Sequence, residues 1–344
     1  MKRHRIRSLL LIDAAALVAA SCSKPQKELN LFAWSEYVPQ AVLDQFTAET
    51  GIKVNYETYD SNEEMLSKLL GGASGYDLIQ PSEYVIESLG KAGQLVALDR
   101  AKIPNFKNLD PDYLDRPHDP QQQFSIPYMV GTVGIVVNTA KVSEPVKGYR
   151  DVFSGKYAGR IVALDDDREL LTWALASVGA DINQIDDAAL AKARPVLAAW
   201  LPQIKVFDSA SPKTAFINGE ADVGIVWSGE AALLFNENPN YLYVLPEEGA
   251  HRFIDSLAIP QGAPNVEHAH QFLDFILRPE ISALISADFP YTNPNLEARK
   301  LLTDAERANP ASYPVNPPKL ETFRDVGQAA SVIAKLVTDL KAGM

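Results

Sequence analysis

Leu29-Asn30-Leu31-Phe32-Ala33-Trp34, Ile52-Lys53-Val54-Asn55-Tyr56 and Tyr76-Asp77-Leu78-Ile79-Gln80 read as three short strands, and the stretches between them read as helices. Pro39 opens the first helical pattern, in which Val42, Leu43 and Phe46 share a face, and Gly51 closes it. Ser61 and Glu64 have capping-box spacing ahead of Met65, Leu66, Leu69 and Leu70, and Gly71-Gly72 stops that helix. A βαβαβ order of this kind predicts an α/β fold built on a parallel sheet.

Further along, the pattern changes. Ser125 to Val137 is a long extended run containing Gly131 and Gly134, and it reads as a crossover from one lobe to another. A second α/β rhythm follows, with a strand at 161–164, helices near 168–178 and 186–199, and a strand from Asp222 to Trp227. Ser256-Leu257-Ala258-Ile259-Pro260 is a candidate return crossover, followed by helices near 266–277 and 325–341. There are no internal repeats.

The chain has 344 residues, 47% of them apolar, which is enough for a sizeable core and two domains. Its formal charge is −12; residues 1–21 contribute +3 (Lys2, Arg3, Arg5 and Arg7 against Asp13), leaving −15 on residues 22–344. Such a surface repels nucleic acid and anionic lipid and favours cationic solutes. Residues 1–21 read as an export signal, with a basic stretch, an apolar run from Ser8 to Ala20 and small residues before Cys22. Ala19-Ala20-Ser21-Cys22 resembles a bacterial lipobox, although Ala19 stands where leucine is usual. On that reading Cys22 is lipidated, residues 22–27 are a tether, and the protein is held to a membrane in the periplasm or at the outer cell surface. The alternative is a simple secretory signal with Cys22 left over. Cys22 is the only cysteine, so no intrachain disulfide is possible.

Four separated points pair an aromatic ring with a carboxylate at a strand end: Trp34-Ser35-Glu36-Tyr37, Pro81-Ser82-Glu83-Tyr84, Val226-Trp227-Ser228-Gly229-Glu230 and Phe253-Ile254-Asp255. A fifth acidic cluster, Asp165-Asp166-Asp167-Arg168-Glu169, follows the apolar run Ile161 to Leu164. In open α/β sheets the crevice beyond the carboxyl ends of the strands is where ligands bind. Rings attract cations through their faces, and carboxylates form charge-assisted hydrogen bonds with ammonium groups. The combination suits a cation with an apolar body. Against it stands ordinary packing: Tyr37 and Tyr84 can close hydrophobic staples, Asp165 and Asp167 can cap the helix that follows, Glu83 reads as a solvated helix-start acid, and Arg168 as a structural partner. Gly71-Gly72-Ala73-Ser74-Gly75 lacks the lysine of a phosphate loop. His268 and His270, two apart on a helix, cannot share a metal, and the Asp165–Asp167 triplet lacks EF-hand spacing. No metal or cofactor is expected.

At these residues the chain resembles bacterial spermidine/putrescine-binding proteins of polyamine ABC transporters. The resemblance is carried by Trp34-Ser35-Glu36-Tyr37-Val38-Pro39, Gly51-Ile52-Lys53-Val54, Tyr76-Asp77-Leu78, Asn108-Leu109-Asp110-Pro111, Ser125-Ile126-Pro127-Tyr128, Asp255 to Pro260 and Pro294-Asn295-Leu296. It implies a two-lobed α/β fold of the type II periplasmic-binding-protein class, with lobe 1 at 28–132 plus 256–302 and lobe 2 at 133–255 plus 303–344. It implies a monomer, not an enzyme, that closes on a polyamine and delivers it to an ABC permease. The implied ligand contacts are Trp34, Ser35, Glu36, Tyr37, Ser82, Tyr84, Asp166, Glu169, Trp227, Glu230, Phe253, Asp255 and Phe323. Ser35 and Phe253 depart from the threonine and tryptophan of spermidine binders, Phe323 falls where they carry glutamine, and Glu230 matches the acid of putrescine-type members. Putrescine is therefore expected to bind at least as well as spermidine. The readings left open are a carboxylate-pair hydrolase acting on a sugar, a scaffold lipoprotein without a ligand, and the same transport fold with a different ligand.

Overall fold

The computed structural model describes residues 27–72 and 75–344, so the export signal, Cys22 and the tether up to residue 26 lie outside the described residues. Lys27, assigned to the tether from sequence, is instead the first residue of β1 (Lys27–Trp34). β1 runs parallel to β2 (Ile52–Tyr59) and to β3 (Leu78–Ile79). The helices between them are Gln40–Thr50 and Asn62–Leu70, at the places the apolar spacing predicts. Half of the expected capping box forms: Ser61 accepts from the Glu64 N–H, while the Glu64 carboxylate reaches the Asp60 N–H instead. Phe46 shows what the amphipathic spacing is for. It is fully buried, and its ring meets Phe272 and Phe275 edge-on at 5.1 and 5.2 Å. Burying a side chain of that size stabilises the fold by about 1.5–3 kcal/mol.

The extended run predicted as a crossover is β4 (Ser125–Asn138). The second α/β rhythm supplies β5 (Ile161–Ala163), β7 (Val223–Trp227) and helices Asp167–Ser177 and Asp187–Trp200, and the structure adds two strands that the sequence reading lacks, β6 (Ile204–Phe207) and β8 (Tyr241–Val244). The return crossover is longer than the sequence suggests. Ser256 to Ala258 are the last residues of a nine-residue strand, β9 (Ala250–Ala258). Leu320–Glu321, β10, pairs beside β9, and the last helix spans Ala329–Ala342.

β4 and β9 join the two halves. They are antiparallel to each other from Ser125 to Thr132, and from Val133 onward β4 pairs with β7 and β8 instead. The sheet order is β2-β1-β3-β9-β4-β7-β5-β6. Gly131 explains one glycine of the run. It pairs with Phe253 across the ladder, and a Cβ there would lie 2.1 Å from the ring's Cζ, so only glycine lets that ring cross β4.

Candidate ligand-binding site

β1, β2 and β3 in one half, and β5 and β7 in the other, bring their carboxyl ends to a common cleft, the place where open α/β sheets bind ligands. β9 crosses its floor, placing His251, Phe253 and Asp255 on one face by the two-residue period of a strand. The cavity measures about 860 Å³, including the part open to solvent. Every ligand-contact residue inferred from the sequence lines it, from Trp34, Ser35, Glu36 and Tyr37 through Ser82, Tyr84, Asp166, Glu169, Trp227, Glu230, Phe253 and Asp255 to Phe323.

The rings form a connected wall. Trp34 packs on Tyr59 at 4.7 Å between centroids and tilts toward Tyr37 at 6.4 Å. Trp227 meets Phe253 edge-on at 5.6 Å, and Tyr291 bridges Phe253 and Tyr37 at 5.8 and 5.4 Å. Gly229 makes room for this wall, because a Cβ there would fall 2.3 Å from the Tyr291 ring. Trp227 is held in place by its indole N–H, which donates to the Ser209 carbonyl at 2.8 Å.

Asp255 is 3% exposed and accepts hydrogen bonds from Tyr37 Oη at 2.8 Å and Ser82 Oγ at 2.6 Å. Tyr37 thus packs its ring against the core and turns its hydroxyl to Asp255. Neither Asp255 nor Asp166 has a cation partner among the described residues. Burial pushes the Asp255 carboxyl up to about 7; burial and the neighbouring Glu169 charge do the same to Asp166. A cationic ligand would favour the charged form of both.

The other acids are already engaged. Glu169 accepts from His251 Nδ1 at 2.5 Å and from the Trp173 indole at 3.2 Å. Glu230 is bound by the Lys213 ammonium at 2.9 Å, and Glu36 lies 3.5 Å from the same ammonium. Burial opposes the charge on Lys213, but Glu230 and Glu36 outweigh it and raise its pKa. The Glu230 carboxyl, sequestered from water, is nevertheless lifted by that burial against the pull of Lys213. Glu230, which from sequence is an additional ligand carboxylate, therefore reaches the cavity wall with its charge already matched.

Three local expectations need correction. Glu83 is not a solvated helix-start acid: it is 0% exposed and accepts from the Ile254 and Phe323 N–H groups at 3.0 and 2.9 Å, with His251 Nε2 at 3.1 Å. Burial would raise its pKa, but His251 and the Ile254 N–H overcome this and lower it. The helix cap in the acidic triplet is Asp166 itself, accepting from the Glu169 N–H at 2.9 Å, while Asp165 and Asp167 face Lys341 at 2.5 and 3.6 Å. Tyr84 does not act as a staple alone, since its hydroxyl accepts from Asn62 at 3.0 Å. Arg168 is a structural partner, as expected, bonding Asn183 and lying 4.7 Å from the Phe323 ring.

The model of the bacterial extracellular solute-binding protein family matches residues 41–314. The chain belongs to this family. It is 37% identical to the spermidine/putrescine-binding periplasmic protein of Escherichia coli K12, over 98% of each chain. It is 34% identical to the putrescine-binding periplasmic protein SpuD of Pseudomonas aeruginosa, over the full length of both. Among solved structures, a putative spermidine/putrescine ABC transporter protein from Listeria monocytogenes superposes with a TM-score of 0.88 at 31% identity, covering 92% of this chain and all of that one. The fold is thus the two-lobed periplasmic-binding-protein fold with its cleft between the lobes.

Sequence reasoning missed His251, Tyr291 and Asp60, which line the cavity, and Lys213, which binds the lining carboxylates Glu36 and Glu230. Two of them left a signal. His251 lies two and four residues before Phe253 and Asp255, so it must share their face of the strand. Tyr59-Asp60 repeats the ring–carboxylate pairing at the end of β2, and Asp60 accepts from Ser35 Oγ. Tyr291 sits in an irregular segment and Lys213 opens the short helix Lys213–Ile217; tertiary packing brings Tyr291 to the cavity and Lys213 onto its wall residues Glu36 and Glu230.

Proposed function

We propose that the chain binds a polyamine, putrescine and/or spermidine, outside the cytoplasm and delivers it to an ABC permease for uptake. The observation that carries this reading is the pair Asp166 and Asp255, carboxylates without a cation partner among the described residues, in a cavity walled by Trp34, Tyr37, Trp227 and Phe253. An ammonium at each end of the ligand meets a carboxylate, and each methylene between them gains ~0.8 kcal/mol on burial against the rings. Ligand contacts drawn from both lobes favour the closed form, because only that form makes them together.

On this reading lobe 1 is 28–132 plus 256–302 and lobe 2 is 133–255 plus 303–344. In support, β4 changes partners between Thr132 and Val133, and Asn309 bonds the Ala232 carbonyl in the second half. Cys22 is the lipidation site, and the protein works as an anchored monomer that catalyses no reaction. Mass spectrometry of the mature N-terminus tests the anchor: an unmodified terminus beginning at any other residue defeats it. Calorimetry with putrescine, spermidine and butane-1,4-diol tests the ligand class. Binding of both amines with none of the diol is expected. No binding of either polyamine, or turnover in a parallel glycoside hydrolysis assay, overturns the reading.

A further inference from the structure

We propose that Lys213 is a built-in ammonium occupying the place of a third ligand nitrogen, so that the cavity selects a diamine over a triamine. This rests on the polyamine reading and goes beyond it by assigning selectivity to a residue outside the ring–carboxylate pattern.

An ammonium has three donors, and Lys213 Nζ finds acceptors for all of them. It lies 2.9 and 3.0 Å from the two oxygens of Glu230, 3.0 Å from Ser211 Oγ and 3.5 Å from Glu36. Glu36 projects from the loop after β1, whereas Lys213 and Glu230 belong to the other half of the sheet. The lysine therefore joins carboxylates across the cleft, as a ligand ammonium would. Its side chain is 21% exposed and that of Glu230 is 9% exposed, so the pair is largely out of water.

The charges of the cavity then sort themselves. His251 is shared by the buried Glu169 and Glu83, and Lys213 holds Glu230, with Glu36 at its solvent-exposed side. Asp60 sits at the exposed rim, bonded to Ser35. Asp166 and Asp255 line the cavity with no cation partner among the described residues, one carboxylate for each end of a diamine. A third ammonium would have to stay unpaired in a desolvated site or displace Lys213 from its acceptors, and either costs affinity.

The test is calorimetry with putrescine and spermidine on the mature wild-type protein, Lys213→Met, Lys213→Gln and the double variant Lys213→Met/Glu230→Gln, with thermal unfolding confirming the fold of each. The wild type should prefer putrescine by about tenfold or more. Lys213→Met should shift the ratio about tenfold toward spermidine by freeing Glu230, and the double variant should lose that gain. Lys213→Gln carries the same comparison if the methionine variant does not fold. A wild-type preference for spermidine, an unchanged ratio in the single variants, or a gain that survives loss of the Glu230 charge each overturns the proposal. A wild type that binds neither amine removes the polyamine reading, and this inference with it.

Discussion

The imidazole of His251 stands 2.5 Å from the Glu169 carboxylate on the floor of the cleft, with both side chains shut off from water. Its other nitrogen lies 3.1 Å from Glu83, and its ring stacks on Phe323 at 3.5 Å. Glu83 opens helix Glu83–Lys91 next to β3, and Glu169 lies in helix Asp167–Ser177 after β5. One imidazolium thus ties helices from the two halves of the sheet to the strand that connects them.

His251→Gln leaves two buried carboxylates without their cation. Removing one partner of a buried ionic network costs about 3–5 kcal/mol. Urea denaturation of the ligand-free protein should show a loss of that size; a loss below about 1 kcal/mol would mean that the network carries no net charge pairing.

The same group sets an alkaline limit. Burial disfavours the imidazolium, but Glu169 and Glu83 outweigh it and hold its pKa up to about 9 against an ordinary 6.5. A folded pKa raised above the unfolded one means that the stabilisation is fully present below about 6.5 and lost as pH rises through about 9. Denaturation midpoints measured across that window should fall for the wild type and stay flatter for His251→Gln.

Asp255→Asn should lower polyamine affinity by about 2–5 kcal/mol, the range for truncating one partner of a buried charge pair. Tyr37 and Ser82 keep donors beside the new amide, so the fold should hold. Unchanged calorimetric affinity in the folded variant removes Asp255 from the ligand contacts.

Polyamine binding should release protons near neutral pH. Asp166 and Asp255 titrate at about 7 rather than the ordinary 3.8, so in the empty protein both are partly protonated at pH 7. A ligand ammonium favours the charged carboxylate, so affinity should weaken as pH falls below about 7. Because these folded pKa values are raised, the empty protein should also lose stability as pH rises from about 4 to about 7. Calorimetry in buffers of different ionisation enthalpy measures the released protons; none released at pH 7 contradicts the assignment.

Gly131→Ala places a methyl into the Phe253 ring. Overpacking of this kind costs about 1–3 kcal/mol, and here it also displaces a ring of the cavity wall. Chemical denaturation should show the loss, and polyamine affinity should fall with it; a neutral effect on both would mean that β4 yields to make room.

The sequence by itself determined the α/β class, the first three strands with the helices between them, and which segments pair rings with acids. These are local matters. Apolar spacing decides helix or strand, and the carboxyl end of a parallel strand faces the crevice wherever the sheet places it, so the flanks of Trp34, Asp166 and Trp227 pointed to the cleft and the family resemblance completed the set; Asp255, read as a strand end, lies inside β9, whose antiparallel pairing with β4 the sequence did not show. The state of charge of each acid was not legible either. Glu83 looks like any helix-start glutamate until β9 brings His251 and the Ile254 N–H onto it, and Glu230 looks free until Lys213, seventeen residues earlier, folds against it. Whether a carboxylate is solvated, paired or left for a ligand depends on which groups come within about 4 Å of it. That distance is set by packing between segments remote in the chain, so only the tertiary structure could decide it.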